Sequence, residues 1–260
     1  MNERPDRDEN RARPFAAPCR RLAAGAPLRW LAAGWRDYRN SLRVSLLYGL
    51  IVFGVSFGVS LLAWRLGSYV LVISMLSGFV FVAPLLAVGM YSISRQLERG
   101  EAVSFSRSVR RMQLALRDAL VFALVLLVIF LVWVRAGVMV HVFFPAGEEL
   151  DPLLLLRFLG IGSAVGSIFA LITFSAAAFS LPMIVDRNAD MITACITSVN
   201  AVLRNKPAMI VWIAIIVALT GLGFATAGLG LILTIPLLGY ATWHAYADTI
   251  DARGWPDSPD

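Results

Sequence analysis

The residues of this sequence that are best suited to bind a ligand lie in one short aromatic segment. Tyr240, Trp243 and His244 are separated by three and four residues, a spacing that places them on one face of a helix. Together they offer an imidazole that can take up or release a proton and two aromatic rings with polar tips. The other histidine, His141, lies in a different apolar stretch, and we place the two near opposite membrane surfaces. They are therefore not expected to ligate one metal or haem together.

Two prolines extend this candidate site. Pro84 and Pro236 lie inside apolar stretches, where each removes a backbone N–H and leaves a carbonyl without its helical donor. The freed carbonyls need other partners or water. A ligand or partner is therefore expected near Pro84, Pro236, Tyr240, Trp243 and His244. The favoured alternative is that the aromatic residues form a belt at the level of the lipid headgroups.

Ionisable groups are scarce inside the apolar stretches. No Asp, Glu or Lys lies in the middle of any of them, and Arg135 lies close enough to the end of its stretch to reach the membrane surface. Cys19 and Cys195 belong neither to a CxxC motif nor to a Cys/His cluster, so we expect two free thiols. The sequence therefore predicts no catalytic residue, no metal site and no cofactor.

Six long apolar stretches must position these residues. The mean hydropathy is +0.74 and 58% of the residues are hydrophobic, well above the usual range of globular proteins. Since a membrane-spanning helix needs ~20 apolar residues, we predict an all-α polytopic membrane protein with one membrane domain over residues 27–250. A disordered basic and acidic tail is expected at 1–26, and a C-terminal tail at 251–260. The predicted spans are 44–64, 68–94, 119–143, 158–185, 207–224 and 228–248.

The basic residues predict the orientation. Twenty Lys and Arg lie before the first span, in the 95–118 and 186–206 loops or in the C-terminal tail, and three lie on the other side. This bias places both termini in the cytoplasm. Arginine outnumbers lysine by 22 to 1, which is typical of a GC-rich bacterial genome and suggests a bacterial inner membrane. Because the charge flanks the spans, the lipid bilayer explains it and nucleic acid is not an expected partner.

Three segments before the odd-numbered spans have the spacing of amphipathic helices. They cover residues 27–42, 104–117 and 189–204, and each leads through a polar corner into a span. The corners are Arg39-Asn40, Arg117-Asp118 and Arg204-Asn205. We interpret the chain as three units, each an interfacial elbow helix followed by a helical hairpin. The alternative is that these helices are cytoplasmic and pack on a partner.

Two GxxxG pairs predict close helix packing. Gly54 and Gly58 lie on the first span, and Gly162 and Gly166 lie on the fourth. The fourth span is also rich in Ala, Ser and Thr, so we expect its small-residue face to be buried among other helices. The bulky third span is expected to face lipid.

The chain resembles the DUF2189 family of bacterial integral membrane proteins over roughly residues 27–250. The most specific blocks are APLLAVGMYSISRQLERGE, around Pro84–Glu101, and the segment Pro236–Asp248, which reads PLLGYATWHAYAD. The family's last motif resembles G-H-A-T-W-H-x-Y-R-D, but here Tyr240 stands at its first histidine and Ala247 at its arginine. That departure removes a histidine pair and weakens any metal or haem hypothesis. The resemblance implies membrane insertion and no established activity.

Three classes of function fit these features. The favoured one is a non-catalytic inner-membrane protein that scaffolds or assembles a complex with other membrane proteins or with a second copy of itself. The alternative is a small-solute or lipid transporter or lipid-handling protein, favoured by the prolines and by the glycine-rich region 221–230. A membrane enzyme is least favoured, because no paired carboxylates, histidine cluster or activated nucleophile is found. A stoichiometric partner would favour the first class, and copurifying lipid or solute the second.

Overall fold

The computed structural model describes residues 14–66, 86–143 and 152–258, and in these residues the regular structure is helical, with two isolated β-bridges. The all-α prediction is therefore confirmed for this part of the chain. The helices are α1 Ala26–Asn40, α2 Leu42–Leu66, α3 over 86–98, α4 Phe105–Leu114, α5 Leu116–Phe143, α6 Pro152–Ala177, α7 Ser180–Asp186, α8 Met191–Arg204, α9 Lys206–Ala225 and α10 Leu231–Thr249.

Four stretches of the described residues are long and apolar enough to cross a membrane: Leu42–Leu62, Leu116–Ala136, Gly160–Asp186 and Lys206–Ala225. They correspond to the first, third, fourth and fifth predicted spans. Most of the second predicted span, 68–94, lies outside the described residues. The sixth, 228–248, forms helix α10, which is less apolar than these four because its second half carries polar and aromatic side chains. Six spans therefore stay a prediction.

One residue joins each amphipathic helix to the longer helix that follows it. Ser41 links α1 to α2, Ala115 links α4 to α5, and Asn205 links α8 to α9. Ser41 and Asn205 adopt nearly the same backbone conformation, with φ/ψ of −121°/32° and −121°/33°. The predicted corners lie within three residues of these positions. An amphipathic helix, a one-residue corner and a long apolar helix thus occur three times in the described chain.

Helices α1 and α8 each bury one face and expose large apolar side chains on the other. In α1, Leu28 and Trp35 are 62% and 43% exposed, whereas Trp30, Gly34, Asp37 and Tyr38 are buried. Helix α8 has the same arrangement. Its exposed residues include Ile192, Ile196 and Leu203, and its buried ones Ala194, Thr197, Ser198 and Ala201. An outward apolar stripe is the orientation that a helix needs in order to contact lipid.

Helix α10 is the centre of one group of helices and packs against α1, α2, α9 and α7. Glycines permit several of its close contacts. A Cβ at Gly34 of α1 would lie 2.6 Å from the backbone nitrogen of Ala241, and one at Gly239 would lie 2.8 Å from Met90 Sδ of α3. Helices α5, α6, α7 and α8 form the second group.

The close contacts predicted at the two GxxxG pairs are not found among the residues that the structure describes. A Cβ at Gly54, Gly58 or Gly162 would meet no described atom within 4 Å, and one at Gly166 would lie 3.6 Å from Trp133 Nε1. Around Gly162 the face of α6 is exposed, so its expected burial among other helices is also not found there. A glycine allows close approach only where a neighbouring helix lies against it. Single glycines such as Gly34 and Gly49 lie against the backbone of α10. For Gly54 and Gly58 the packing stays a prediction, because most of the adjoining second span lies outside the described residues.

Residues 14–25, which we expected in a disordered tail over 1–26, pack against α8 and the end of α10. The buried Ala17 donates its N–H to Thr197 Oγ1 at 2.9 Å, and Leu22 donates its N–H to Asn205 Oδ1 at 2.9 Å. The N–H of Asp251 donates to the carbonyl of Pro18 at 2.9 Å. The tail prediction is therefore wrong for this part, because polar side chains of α8 supply hydrogen bonds that composition does not reveal. Residues 1–13 lie outside the described residues.

Candidate functional site

The aromatic segment of α10 faces the protein interior. Tyr240 and Trp243 are only 0% and 2% exposed, and His244 is half-buried. Side chains in an interfacial belt would instead face the headgroups. The belt interpretation is therefore wrong for Tyr240 and Trp243, and the predicted cluster lies at a junction of helices.

Each of these side chains bonds to a different helix. Tyr240 shares a 2.8 Å hydroxyl–hydroxyl hydrogen bond with Ser45 of α2. Trp243 Nε1 donates to Glu98 Oε2, at the end of α3, at 2.9 Å. Side chains three residues apart on α10 thus point towards different helices, and their hydrogen bonds hold α2 and α3 to α10.

His244 and Asp37 form an acid–imidazole contact. His244 Nε2 lies 2.8 Å from Asp37 Oδ2, and Ser94 Oγ donates to the same carboxylate oxygen at 2.8 Å. Asp37 is 6% exposed. Because an ionised carboxylate only accepts, this geometry places a proton on Nε2. Such a pair can hold a proton, but Ser94 bonds to the carboxylate instead of the imidazole, which is not the order of a serine-hydrolase triad.

A second polar cluster surrounds Asp186 at the end of α7. The hydroxyl of Tyr246 donates to Asp186 Oδ2 at 2.9 Å, and Arg187 Nε donates to the same oxygen at 3.0 Å. Arg95 Nε of α3 lies 3.5 Å from Asp186 Oδ1, and Arg187 also pairs with Asp257 of the C-terminal segment. This one carboxylate therefore joins α3, α7 and α10.

Helix α1 is fixed to the end of α10 in the same way. Trp30 Nε1 donates to Asp248 Oδ2 at 2.9 Å, and Arg29 Nη2 lies 3.2 Å from that oxygen. The indole of Trp30 also packs edge-on against Trp212 of α9, with ring centroids 5.7 Å apart. The contact combines burial of a large apolar ring with satisfaction of its polar tip.

The two prolines of the candidate site have different outcomes. Pro84 lies outside the described residues. Pro236 is buried within α10, and its missing N–H leaves the carbonyl of Ile232 without a helical donor. Gly49 of α2 packs directly onto that carbonyl, so closely that a Cβ would overlap its oxygen. The predicted freed carbonyl therefore meets a neighbouring helix backbone.

An apolar groove of about 960 Å³ lies between α5 and α6, apart from the polar clusters. Aromatic rings form much of its lining and small residues of α6 form another part. The rings include Tyr91, Phe122, Phe130, Trp133, Phe169 and Phe174, and the small residues include Ser163, Gly166, Ser167, Ala170 and Thr173. The small-residue face predicted for the fourth span is thus an exposed groove wall.

Several groups outside the spans have shifted pKa values, among them Asp190 and the two cysteines. The backbone N–H of Thr193, which Asp190 accepts as the N-cap of α8, lowers the pKa of the Asp190 carboxyl. Burial raises the pKa of the thiols of Cys19 and Cys195. Both cysteines are free. Within the described residues, no group of three or more His, Cys, Asp and Glu side chains is arranged to hold a metal ion.

Sequence reasoning missed the acidic partners of α10. Asp37, Glu98 and Asp186 each lie next to or near arginines, and a charge count treats such residues as part of a solvated basic segment. One available signal was position. Asp37 follows Trp30 by seven residues and therefore shares its helix face, which is the buried one.

The model of the DUF2189 family, described as a predicted integral membrane protein, matches residues 71–186. The resemblance seen in the sequence is confirmed over this range, which includes the block around Pro84–Glu101 and ends before the block around Pro236–Asp248. No curated protein and no solved structure matches the chain. The chain is thus similar to an integral membrane family of unknown function, consistent with the four apolar helices.

Proposed function

We propose that this protein is a non-catalytic scaffold or assembly factor of the bacterial inner membrane, with both termini in the cytoplasm. In this role it receives a transmembrane helix of a partner protein in the groove between α5 and α6. The observation that carries the proposal is the exposed small-residue wall of that groove.

Small residues favour a helix as the occupant. Gly, Ala, Ser and Thr let two backbones approach closely and let hydroxyls bond across a helix pair in a membrane, whereas lipid-facing helices are usually bulky. The wall from Ser163 to Thr173 extends about 15 Å along the helix at 1.5 Å per residue. That is about half the ~30 Å thickness of the hydrocarbon core. Both α5 and α6 carry candidate spans, so the groove lies at membrane depth.

The polar clusters support a structural role for the rest of the molecule. Asp37, Glu98 and Asp186 accept hydrogen bonds from other side chains of the protein, and these bonds hold α10 to its neighbours. Polar groups arranged in this way stabilise a rigid platform. A platform next to a groove is what a scaffold needs in order to present a fixed surface to its partner.

The test is photo-crosslinking from the groove. A photoreactive amino acid at Ala170, which lines the groove, should capture a peptide from the transmembrane segment of another protein, identified by mass spectrometry. The matched control is Leu171, which is exposed on the same helix but does not line the groove. Capture from both positions, or capture at Ala170 of residues 67–85 of the same chain, would show that the groove is not the partner site.

A substitution provides an independent measurement. Ala170→Trp should fill the groove. The amount of the partner, once identified by crosslinking, that copurifies with this variant in mild detergent should fall at least tenfold, whereas Leu171→Trp should leave that amount unchanged. Equal yields with both variants would contradict the proposal. Thermal unfolding of both variants separates lost binding from lost folding.

A further inference from the structure

A second cavity, of about 340 Å³, lies where the ends of α3 and α7, the second half of α10 and the two terminal segments meet. Its lining is rich in arginine. Its arginines are Arg20, Arg95, Arg99, Arg187 and Arg253. Five guanidinium groups face three lining carboxylates, and Asp257 pairs with two of the five from outside the lining, so an excess of one positive charge remains.

The carboxylates of this lining are already bonded to groups of the protein. Glu98 accepts from Trp243 Nε1, Asp186 accepts from the hydroxyl of Tyr246, and Asp251 accepts from Arg253 Nε at 2.7 Å. Asp186 also pairs with Arg95 and Arg187, and Asp251 pairs with Arg253, so these carboxylates already have arginine partners of their own. The excess charge therefore favours an anion in the cavity.

Arg20 is the arginine best placed to act on a ligand. Its side chain is exposed, and its Nη1 donates to the main-chain carbonyls of Ala247 and Asp248 at 3.3 and 3.5 Å. Long bonds to neutral carbonyls are weaker than bonds to an ionised group. An oxyanion in the cavity would offer this guanidinium a stronger, forked contact.

The position of the cavity indicates the class of ligand. Asp186 is the last residue of the candidate span Gly160–Asp186, so a bilayer that this span crosses would have its headgroups at the level of the cavity. Arginine forks match the oxygens of a phosphate, and the volume is at the lower end of the ~300–1,000 Å³ range of small-ligand sites. We propose that this cavity binds a phosphate group, carried either by a phospholipid headgroup or by a soluble phosphate compound. This proposal does not depend on the partner groove.

The experiment compares two probes on four variants. Inorganic phosphate is titrated against the purified protein in detergent at constant ionic strength, with thermal unfolding as the readout. The second probe uses nanodiscs that contain phosphatidylcholine and phosphatidylglycerol. Native mass spectrometry measures how much phosphatidylglycerol stays bound to the protein after extraction. The variants are Arg20→Gln, Arg20→Lys, Ala247→Leu, which narrows the cavity without changing charge, and Arg110→Gln. Arg110 is an exposed arginine of α4 that does not line the cavity, so it controls for net charge.

If phosphate stabilises the protein, and if Arg20→Gln and Ala247→Leu each lower the apparent phosphate affinity about tenfold, the result would support a soluble phosphate ligand. Phosphatidylglycerol retention that these two variants lose, without an effect of inorganic phosphate, would support a phospholipid headgroup. In either case Arg110→Gln should behave as the unchanged protein, and Arg20→Lys should keep part of the binding. If neither probe separates Arg20→Gln and Ala247→Leu from the unchanged protein, or if Arg110→Gln weakens binding equally, the proposal is wrong.

Discussion

At the scale of single residues, the structure depends on a few acidic side chains that lie inside the protein. Asp37 accepts hydrogen bonds from both Ser94 and His244, and it is buried between helices. Burying a carboxylate is unfavourable unless hydrogen bonds compensate the lost water. The bonds that compensate it here also fix the position of α1 against α3 and α10.

Removal of this carboxylate should be destabilising. We expect Asp37→Ala to lower the free energy of unfolding by about 1–3 kcal/mol, the usual effect of leaving a buried partner unsatisfied. Asp118→Ala, at an exposed position in the first turn of α5, should change it by less than about 0.5 kcal/mol. The measurement is thermal or denaturant unfolding in detergent, followed by tryptophan fluorescence. Equal losses for both variants would mean that Asp37 does not hold the helices together.

The thiol of Cys19 gives a pH-dependent readout of the ordered N-terminal segment. Burial raises its pKa above the usual value, so at any pH below that value the folded protein holds a smaller thiolate fraction than an unfolded chain. In a Cys195→Ser background, alkylation of Cys19 between pH 7 and pH 9 should therefore be slower in the folded protein than after denaturation. The rate should continue to rise at a pH where the denatured rate has levelled off. Identical pH profiles would show that this segment does not bury the thiol.

At the scale of elements, glycine position decides which helices approach closely. Gly34 lies outside any GxxxG pair, yet it permits the contact of α1 with the backbone of α10. Sequence predicted the existence and approximate bounds of the elbow helices, because their apolar spacing is strong. It did not predict which face packs, because Trp30 and Trp35 are both large and apolar. In a membrane protein an apolar face can contact either lipid or another helix, so apolarity alone does not indicate which face packs.

The glycine contacts can be compared directly. Gly34→Ala should lower the unfolding temperature strongly, because the new methyl would lie 2.6 Å from the nitrogen of Ala241 and force two backbones apart. Overpacking of this kind costs about 1–3 kcal/mol. Gly162→Ala should be neutral or slightly stabilising, because no described atom lies within 4 Å and alanine favours the helix. A larger effect at Gly162 would indicate that an undescribed segment packs on it.

At the scale of the whole molecule, the arginine-rich segments meet at one end of the structure. Arg99 of the α3–α4 loop pairs with Asp257, and the N–H of Asn188 donates to the carbonyl of Pro256. The segments that the sequence assigned to one membrane side therefore contact each other. Charge bias predicted that grouping because it counts residues near span ends. It could not predict the bonds of Asp37 or Glu98, which depend on how distant helices are placed.

The orientation can be tested with reporter fusions. A fusion at residue 100 should be active in the cytoplasm, and a fusion at residue 150 should be active on the outer side of the membrane, because twenty basic residues lie on the first side and three on the second. Fusions at residues 26 and 258 should both report the cytoplasm. A signal on the outer side at residue 100 would reverse the orientation.

The central place of α10 also determines the order in which the molecule can be assembled. Helices α1 and α2 precede α10 in the chain, so they leave the ribosome long before their main packing partner is made. Until residues 231–249 follow, Asp37 has no imidazole beside it and Gly49 has no carbonyl to cover. Before then the early helices have only their contacts with one another, such as the hydrogen bond from Ser94 of α3 to Asp37 of α1, and α10 completes their packing. A chain interrupted before α10 is therefore an unfinished fold, and the cell's membrane quality control should recognise it as one.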